Sequence, residues 1–217
     1  MFKKKSTKIL LGILTVLVLI LGGIEAYTFL GSKNNKEEIV VQTKQLGPYI
    51  VNANQSDYQK EIEPTLLSAI SSNSGKHIVD NVSKYFISEF FTLKGKANFN
   101  DVGGMGFVFP EASARFKVNA VDSYYRDLDA YKQSYGKDNL PVVTEVTTLS
   151  PRKAKLADIK EEKEATLKVS MVYDIDVEWK YEENEKLKDA NLVDKVTLRY
   201  VKASDGNWYL YELIGLK

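Results

Sequence analysis

A single histidine, three carboxylates on one alternating run, a glycine cluster and a tyrosine-rich stretch are the residues of this chain whose types could do chemistry. His77 is the only imidazole in 217 residues. It cannot build a multi-histidine metal site, and no Gly-x-Ser-x-Gly elbow supplies a nucleophile for it to activate. One residue before Ile78, at the start of a helical pattern, it reads as a surface residue. Asp174, Asp176 and Glu178 recur every second position. Paired carboxylates act as acid and base only where their surroundings split their pKa values. Three on one alternating face between Lys168 and Lys180 read instead as a solvated sheet surface, with a subunit interface as the functional alternative. Gly103-Gly104-Met105-Gly106 has the look of a phosphate cradle, but that cradle needs a strand before it and a helix opening on it. Here a helix precedes and Phe107-Val108-Phe109-Pro110 follows. The expectation is a turn-rich loop whose exposed apolar tip contacts a partner or flaps over the sheet. Asp127 with Tyr124 and Tyr131 could form a pocket acid with tyrosines, although tyrosines at helical spacing more often belong to a core. The chain has no cysteine, so disulfides, thiolate metal sites and cysteine nucleophiles are excluded. The expectation is no catalytic, cofactor-binding or metal-binding residue set, and no cofactor.

The elements that must position these residues fall in two blocks. Ser56 and Gln59 form a capping box, followed by Tyr58, Ile62, Leu66 and Ile70 at helical spacing, with Pro64 interrupting the pattern. Ser71 to Gly75 ends it. Ile78, Val82, Tyr85, Phe86, Phe90 and Leu93 mark one face of a second helix. Val121, Tyr124, Leu128, Tyr131 and Tyr135 mark a third, which Gly136 to Pro141 stops. The period then changes from 3.6 to 2. Val142 to Leu149 predicts a strand. Leu167, Val169, Met171, Tyr173, Ile175, Val177 and Trp179 alternate strictly and predict a long strand with one face on the core. Val196, Leu198 and Tyr200 form the next, and Ser204-Asp205-Gly206-Asn207 is a hairpin turn leading to Trp208–Ile214. Arg152-Lys153-Ala154-Lys155, Lys160-Glu161-Glu162-Lys163-Glu164 and Glu182–Lys188 read as charged loops that could carry partner specificity on a rim. Helices first and strands second predict an α+β fold, helices on one face of a bent antiparallel sheet.

Ahead of both blocks lies an apolar run, Ile9 to Leu30, preceded by Lys3, Lys4, Lys5 and Lys8. About 20 residues suffice to cross a hydrocarbon core of about 30 Å. The lysines keep the N-terminus in the cytoplasm. The expected division is a cytoplasmic tail (1–8), a single-pass transmembrane helix (9–30), a tether (31–55) and an extracytoplasmic α+β domain (56–217). A cleaved signal peptide is the rival, with Ile24-Glu25-Ala26 as its site; either places the domain outside the cytoplasm. Of 30 basic and 29 acidic residues, four and one lie before residue 31, leaving 26 and 28 beyond it. That balance gives no electrostatic reason to expect direct nucleic-acid binding. A lysine-rich, cysteine-free exported domain suits a Gram-positive cell surface.

The anchor, the tether, the aromatic helix Tyr85-Phe86-Ile87-Ser88-Glu89-Phe90-Phe91 and the long C-terminal hairpins together resemble the nuclear transport factor 2-like superfamily, whose helices cap a strongly curved, cone-like sheet. Within it the layout is similar to the bitopic, TcpC-like subunits of Gram-positive conjugation and type IV secretion systems. The resemblance implies a non-catalytic scaffold that self-associates and docks other envelope or secretion-machine subunits, with the lipid bilayer as a further partner. An anchored small-molecule-binding or enzymatic cone domain, and a cell-wall or division adaptor, are the alternatives.

Overall fold

A computed structural model describes residues 42–155 and 169–215. The expected tail and span (1–30), the first part of the expected tether and the Lys160–Glu164 loop lie outside the described residues. Among those described, no helix is long and apolar enough to cross a membrane.

The fold is α+β. It opens on a hairpin, β1 (Thr43–Leu46) and β2 (Tyr49–Asn52). Two helices follow, α1 (Asp57–Ser71) and α2 (Gly75–Phe90). A loop with two 3-10 turns, Met105–Phe107 and Pro110–Ala112, leads to the short helices α3 (Ser113–Asp122) and α4 (Leu128–Tyr135). Then come β3 (Val143–Thr148), β4 (Arg152–Ala154), β5 (Val169–Tyr181), β6 (Lys195–Ala203) and β7 (Trp208–Ile214). The last five form one curved antiparallel sheet of order β3-β5-β6-β7, with β4 also paired to β5. β3 and β4 occupy the same edge of β5, split at Leu149–Pro151. Register shifts at Val143/Glu145, Val169/Met171 and Arg199/Tyr200 bend its strands.

Four sequence expectations need correction. Arg152-Lys153-Ala154 is not a loop but strand β4, paired with Val172–Asp174 of β5. Residues 43–52 are not tether: Leu46, Tyr49 and Val51 are buried on the inner face of the hairpin, and Gly47-Pro48 is its turn rather than a linker break. The folded domain therefore begins near Gln42, not Ser56. The third helix is two helices broken at Ser123–Asp127. Neighbouring residues on a continuous helix point about 100° apart, and the break lets Tyr124 and Tyr125 both reach Phe90, with ring centroids 5.8 and 5.4 Å away. The apolar tip after the glycines is not exposed: Phe107, Val108 and Phe109 are buried. They run beside the β7 edge, where the Phe109 amide donates to the Leu210 carbonyl at 2.7 Å.

The Ser56–Gln59 capping box forms as expected, at 3.2 and 2.8 Å. Pro64 sits inside α1 without breaking it. Both Pro64 and Lys60, whose carbonyl loses its helical donor, face solvent, so water can satisfy that oxygen. α2 is the central element. Eleven of its sixteen residues are buried, including the polar Asn81, Ser83, Ser88 and Glu89. Phe86, Phe90 and Phe91 of this segment join Phe116, Tyr124, Tyr125 and Trp179 in a continuous aromatic cluster against the sheet. Burying each such ring is worth about 1.5–3 kcal/mol.

Candidate functional site

A cleft of about 600 Å³ lies where the β2–α1 link, the N-terminus of α1 and the segment after α2 meet. Its lining is polar, with Asn52, Asn54, Gln59, Thr92, Lys94 and Lys96 among its members. Glu89, only 6 % exposed, is the buried carboxylate of its wall. α2 carries Glu89 inward because almost the whole circumference of its C-terminal half is covered. One carboxylate oxygen accepts the Asn52 amide at 2.9 Å, and the other accepts the Gly104 amide at 3.1 Å. One side chain thus joins hairpin, helix and glycine loop. Burial pushes its pKa up; the two amides and the Lys96 charge pull in the opposite direction without cancelling it.

The glycines exist for this junction. Gly104 adopts φ +73°, a conformation that favours glycine, with the Phe86 ring packed against it. A Cβ on Gly106 would stand 1.7 Å from the Ile50 carbonyl oxygen. The cluster is a close-packed seat, and no helix opens on it in the manner of a phosphate cradle.

Beside Glu89, Gln55 donates to the Glu63 carboxylate at 2.5 Å and to the Tyr85 hydroxyl. Lys44 also bonds Glu63, at 2.5 Å, and holds that carboxyl below its usual range. Burial pushes the Tyr85 phenol well above its ordinary value.

The second charged assembly crosses the sheet. Arg199 clasps Asp174 with two nitrogens at 2.8 and 3.0 Å and reaches Glu212 at 2.9 Å, linking β5, β6 and β7. Arg152 clasps Asp176 at 2.5 and 3.1 Å, and Thr197 donates to the same carboxylate at 2.6 Å. Arg152 first, then Thr197, hold the Asp176 carboxyl below its usual range. Asp174 is therefore not solvated as expected; it is 9 % exposed and ion-paired. Glu178 is exposed. The three carboxylates do not converge on a common point.

The other sequence candidates are dispersed. His77 is exposed on the first turn of α2, its backbone carbonyl accepting from Asn81 at 2.9 Å. Asp127 pairs with the adjacent Arg126 in solvent, and that guanidinium lowers its pKa. Tyr124 points inward, its hydroxyl 3.4 Å from the Phe91 carbonyl and 3.5 Å from the Tyr181 hydroxyl. Burial raises its pKa well above the ordinary value. Tyr131 packs near Tyr135, with ring centroids 6.0 Å apart. The pocket acid with tyrosines is not assembled. In the Glu182–Lys188 segment, Leu187 is buried and Glu182 rims the cleft, 4.0 Å from Lys94. Among the described residues no three His, Asp or Glu side chains gather as a metal site.

Sequence reasoning missed Glu89. Its signal was a lone carboxylate inside the aromatic run Tyr85–Phe91, where an amphipathic helix would have placed an apolar residue.

No family model, no curated protein and no solved structure matches this chain.

Proposed function

We propose that this chain is a single-pass membrane protein whose extracytoplasmic domain is a non-catalytic assembly subunit of a bacterial cell-envelope machine for conjugative DNA transfer or type IV secretion. The domain is read as a nuclear transport factor 2-like cone. The lysine-flanked run Ile9–Leu30 carries the membrane part of this reading. The scaffold part is supported by the aromatic side chains that fill the space between α2 and the sheet, where a cone-shaped enzyme needs a cavity. The self-satisfied ion pairs across the sheet also favour a rigid structural role over acid–base work. Two measurements test the proposal. Alkaline extraction with external protease digestion should leave the chain in the membrane and its domain accessible. Deleting the gene from donor cells should lower transfer at least 100-fold, and unchanged transfer would sink the machine assignment.

The cleft beside Glu89 favours a second reading, an anchored domain that binds a small polar molecule. Its volume is within the range of small-molecule sites. Saturable binding of a polar metabolite, weakened by Lys96→Ala without loss of folding, would select it.

A further inference from the structure

Each long edge of the five-stranded sheet is capped in part by other segments of the chain. On β3, the Tyr58 hydroxyl takes the Val146 amide at 3.1 Å and the Thr92 hydroxyl takes the Val143 amide at 3.0 Å. On β7, the Phe109 amide and the Tyr49 hydroxyl bond the Leu210 and Trp208 carbonyls, each at 2.7 Å. Such capping is how folded proteins prevent unwanted strand addition. The hairpin is treated differently on its two sides. The Ala53 amide bonds the Gln42 carbonyl, so the hydrogen-bonded pairs of the hairpin are Gln42–Ala53, Lys44–Val51 and Leu46–Tyr49. The amides and carbonyls of the intervening residues then point outward. On β2, Glu89 takes the outward amide of Asn52 and the Ile50 carbonyl is covered by Gly106. On β1, the outward groups of Thr43 and Gln45 have no partner among the described residues, and both residues are exposed. Ile50, cross-strand from Gln45, is 54 % exposed.

We propose that the open edge of β1 pairs with the β1 edge of a second copy of this chain. A two-fold axis through Lys44 sets Thr43 opposite Gln45 of the other copy, and each such pair exchanges two backbone hydrogen bonds. The edge is its own complement, so one surface serves both copies. Lys44 stands near its counterpart at the axis, and each lysine is already neutralised by its own Glu63. The partner choice follows from position, and this step rests on the membrane reading above. Twelve residues separate Leu30 from Thr43 at the start of β1, so the β1 edges of anchored copies are tied to one bilayer by equal lengths of chain. A strand of four residues gives a weak contact in dilute solution. Confinement to a membrane raises the effective concentration enough to populate it.

The native absence of cysteine makes the test direct. Full-length Thr43→Cys and Gln45→Cys chains, reconstituted together in liposomes and oxidised, should cross-link at least fivefold more than either alone or than Val118→Cys. Residues two positions out of register lie too far apart for an S–S bond. Gln45→Pro removes one outward amide and no backbone hydrogen bond of the hairpin, together with the Gln45 side-chain bond to the Gly47 carbonyl, which Gln45→Ala removes alone as the control. Gln45→Pro should cut energy transfer between copies labelled at Val118→Cys at least fivefold, with an unchanged melting temperature. Membrane-integrated chains that show no excess mixed cross-link, or that keep full energy transfer with Gln45→Pro, would overturn the edge pairing and leave the anchor standing. Chains that fail alkaline extraction would overturn the anchor instead. The same mixed cross-link, read on concentrated chains in detergent, would then decide the edge on its own.

Discussion

Two buried carboxylates solve the same problem in opposite ways. Asp174, on the sheet, is neutralised by a guanidinium that also reaches Glu212. Glu89, at the junction of hairpin, helix and glycine loop, forms no ion pair among the described residues and rests on two backbone amides. The sheet network ties strands already joined by ladder hydrogen bonds. The Glu89 junction ties three segments that share no ladder with one another. The difference teaches where cohesion is concentrated: removing charge from the sheet loosens an assembly that persists, whereas disturbing the junction detaches whole segments.

The severest way to break that contrast leaves both charges in place. Gly106→Ala forces a Cβ against the Ile50 backbone, and relief requires moving β2 or the loop. The expected loss exceeds about 4 kcal/mol, the range reserved for disrupted packing at a specific site. Denaturant unfolding followed by the fluorescence of Trp179 and Trp208 would measure it; a loss under 1 kcal/mol would mean that the seat is not close-packed. Next comes Glu89→Ala, which strands the buried Gly104 amide and the half-buried Asn52 amide and should cost about 2–4 kcal/mol. The sheet should respond less. Arg199→Met leaves Asp174 uncompensated and should cost about 2–3 kcal/mol, whereas Arg199→Met with Asp174→Leu should return most of it, because an apolar pair of similar volume replaces a buried ion pair well. If the double variant is as unstable as the single one, the two regions are not different in kind.

The pH response sharpens the comparison further. The folded-state pKa of Glu89 is raised, so its contribution to stability is fully present below the unfolded carboxyl value and is lost as pH rises through the folded one. The pKa of Asp176 is lowered, so its contribution is present above the unfolded value and is lost as pH falls through the folded one. The stability gap between wild type and Glu89→Gln should therefore narrow as pH increases from about 4. The gap to Asp176→Asn should narrow as pH decreases below about 4. Parallel slopes in pH-dependent unfolding would contradict the assignment. The smallest effect belongs to Lys180→Ala. It removes an exposed pair with Glu145 and should change stability by less than about 0.5 kcal/mol.

What was legible in the sequence is what local periodicity controls. The capping box, the long alternating strand β5 and the Asp205-Gly206 hairpin follow from neighbours a few residues apart, and each formed. Residues 43–52 were not legible because each strand is four residues long, with one buried side chain on β1 and two on β2. Gln45 and Gly47-Pro48 look the same in a turn and in a linker. The break at Ser123 was hidden because the heptad-like spacing of Val121, Tyr124 and Leu128 is indifferent to it. Tyr125, which lies off that stripe, receives the Gly103 amide and donates to the Phe90 carbonyl at 2.6 Å. The Glu89 site could not be read from spacing at all, since its partners are backbone amides 37 and 15 residues away.

The hairpin also sets how the domain would bear load. Tension entering from the N-terminal side arrives at Gln42, the open end of the hairpin, and so acts on its hydrogen bonds one at a time. The Ala53–Gln42 bond fails first, then those of Lys44 and Leu46. The peel halts at Tyr49, whose hydroxyl grips the Trp208 carbonyl while Glu89 still holds Asn52. Under such a pull β1 would extend first, ahead of the part of the domain held at Tyr49 and Asn52.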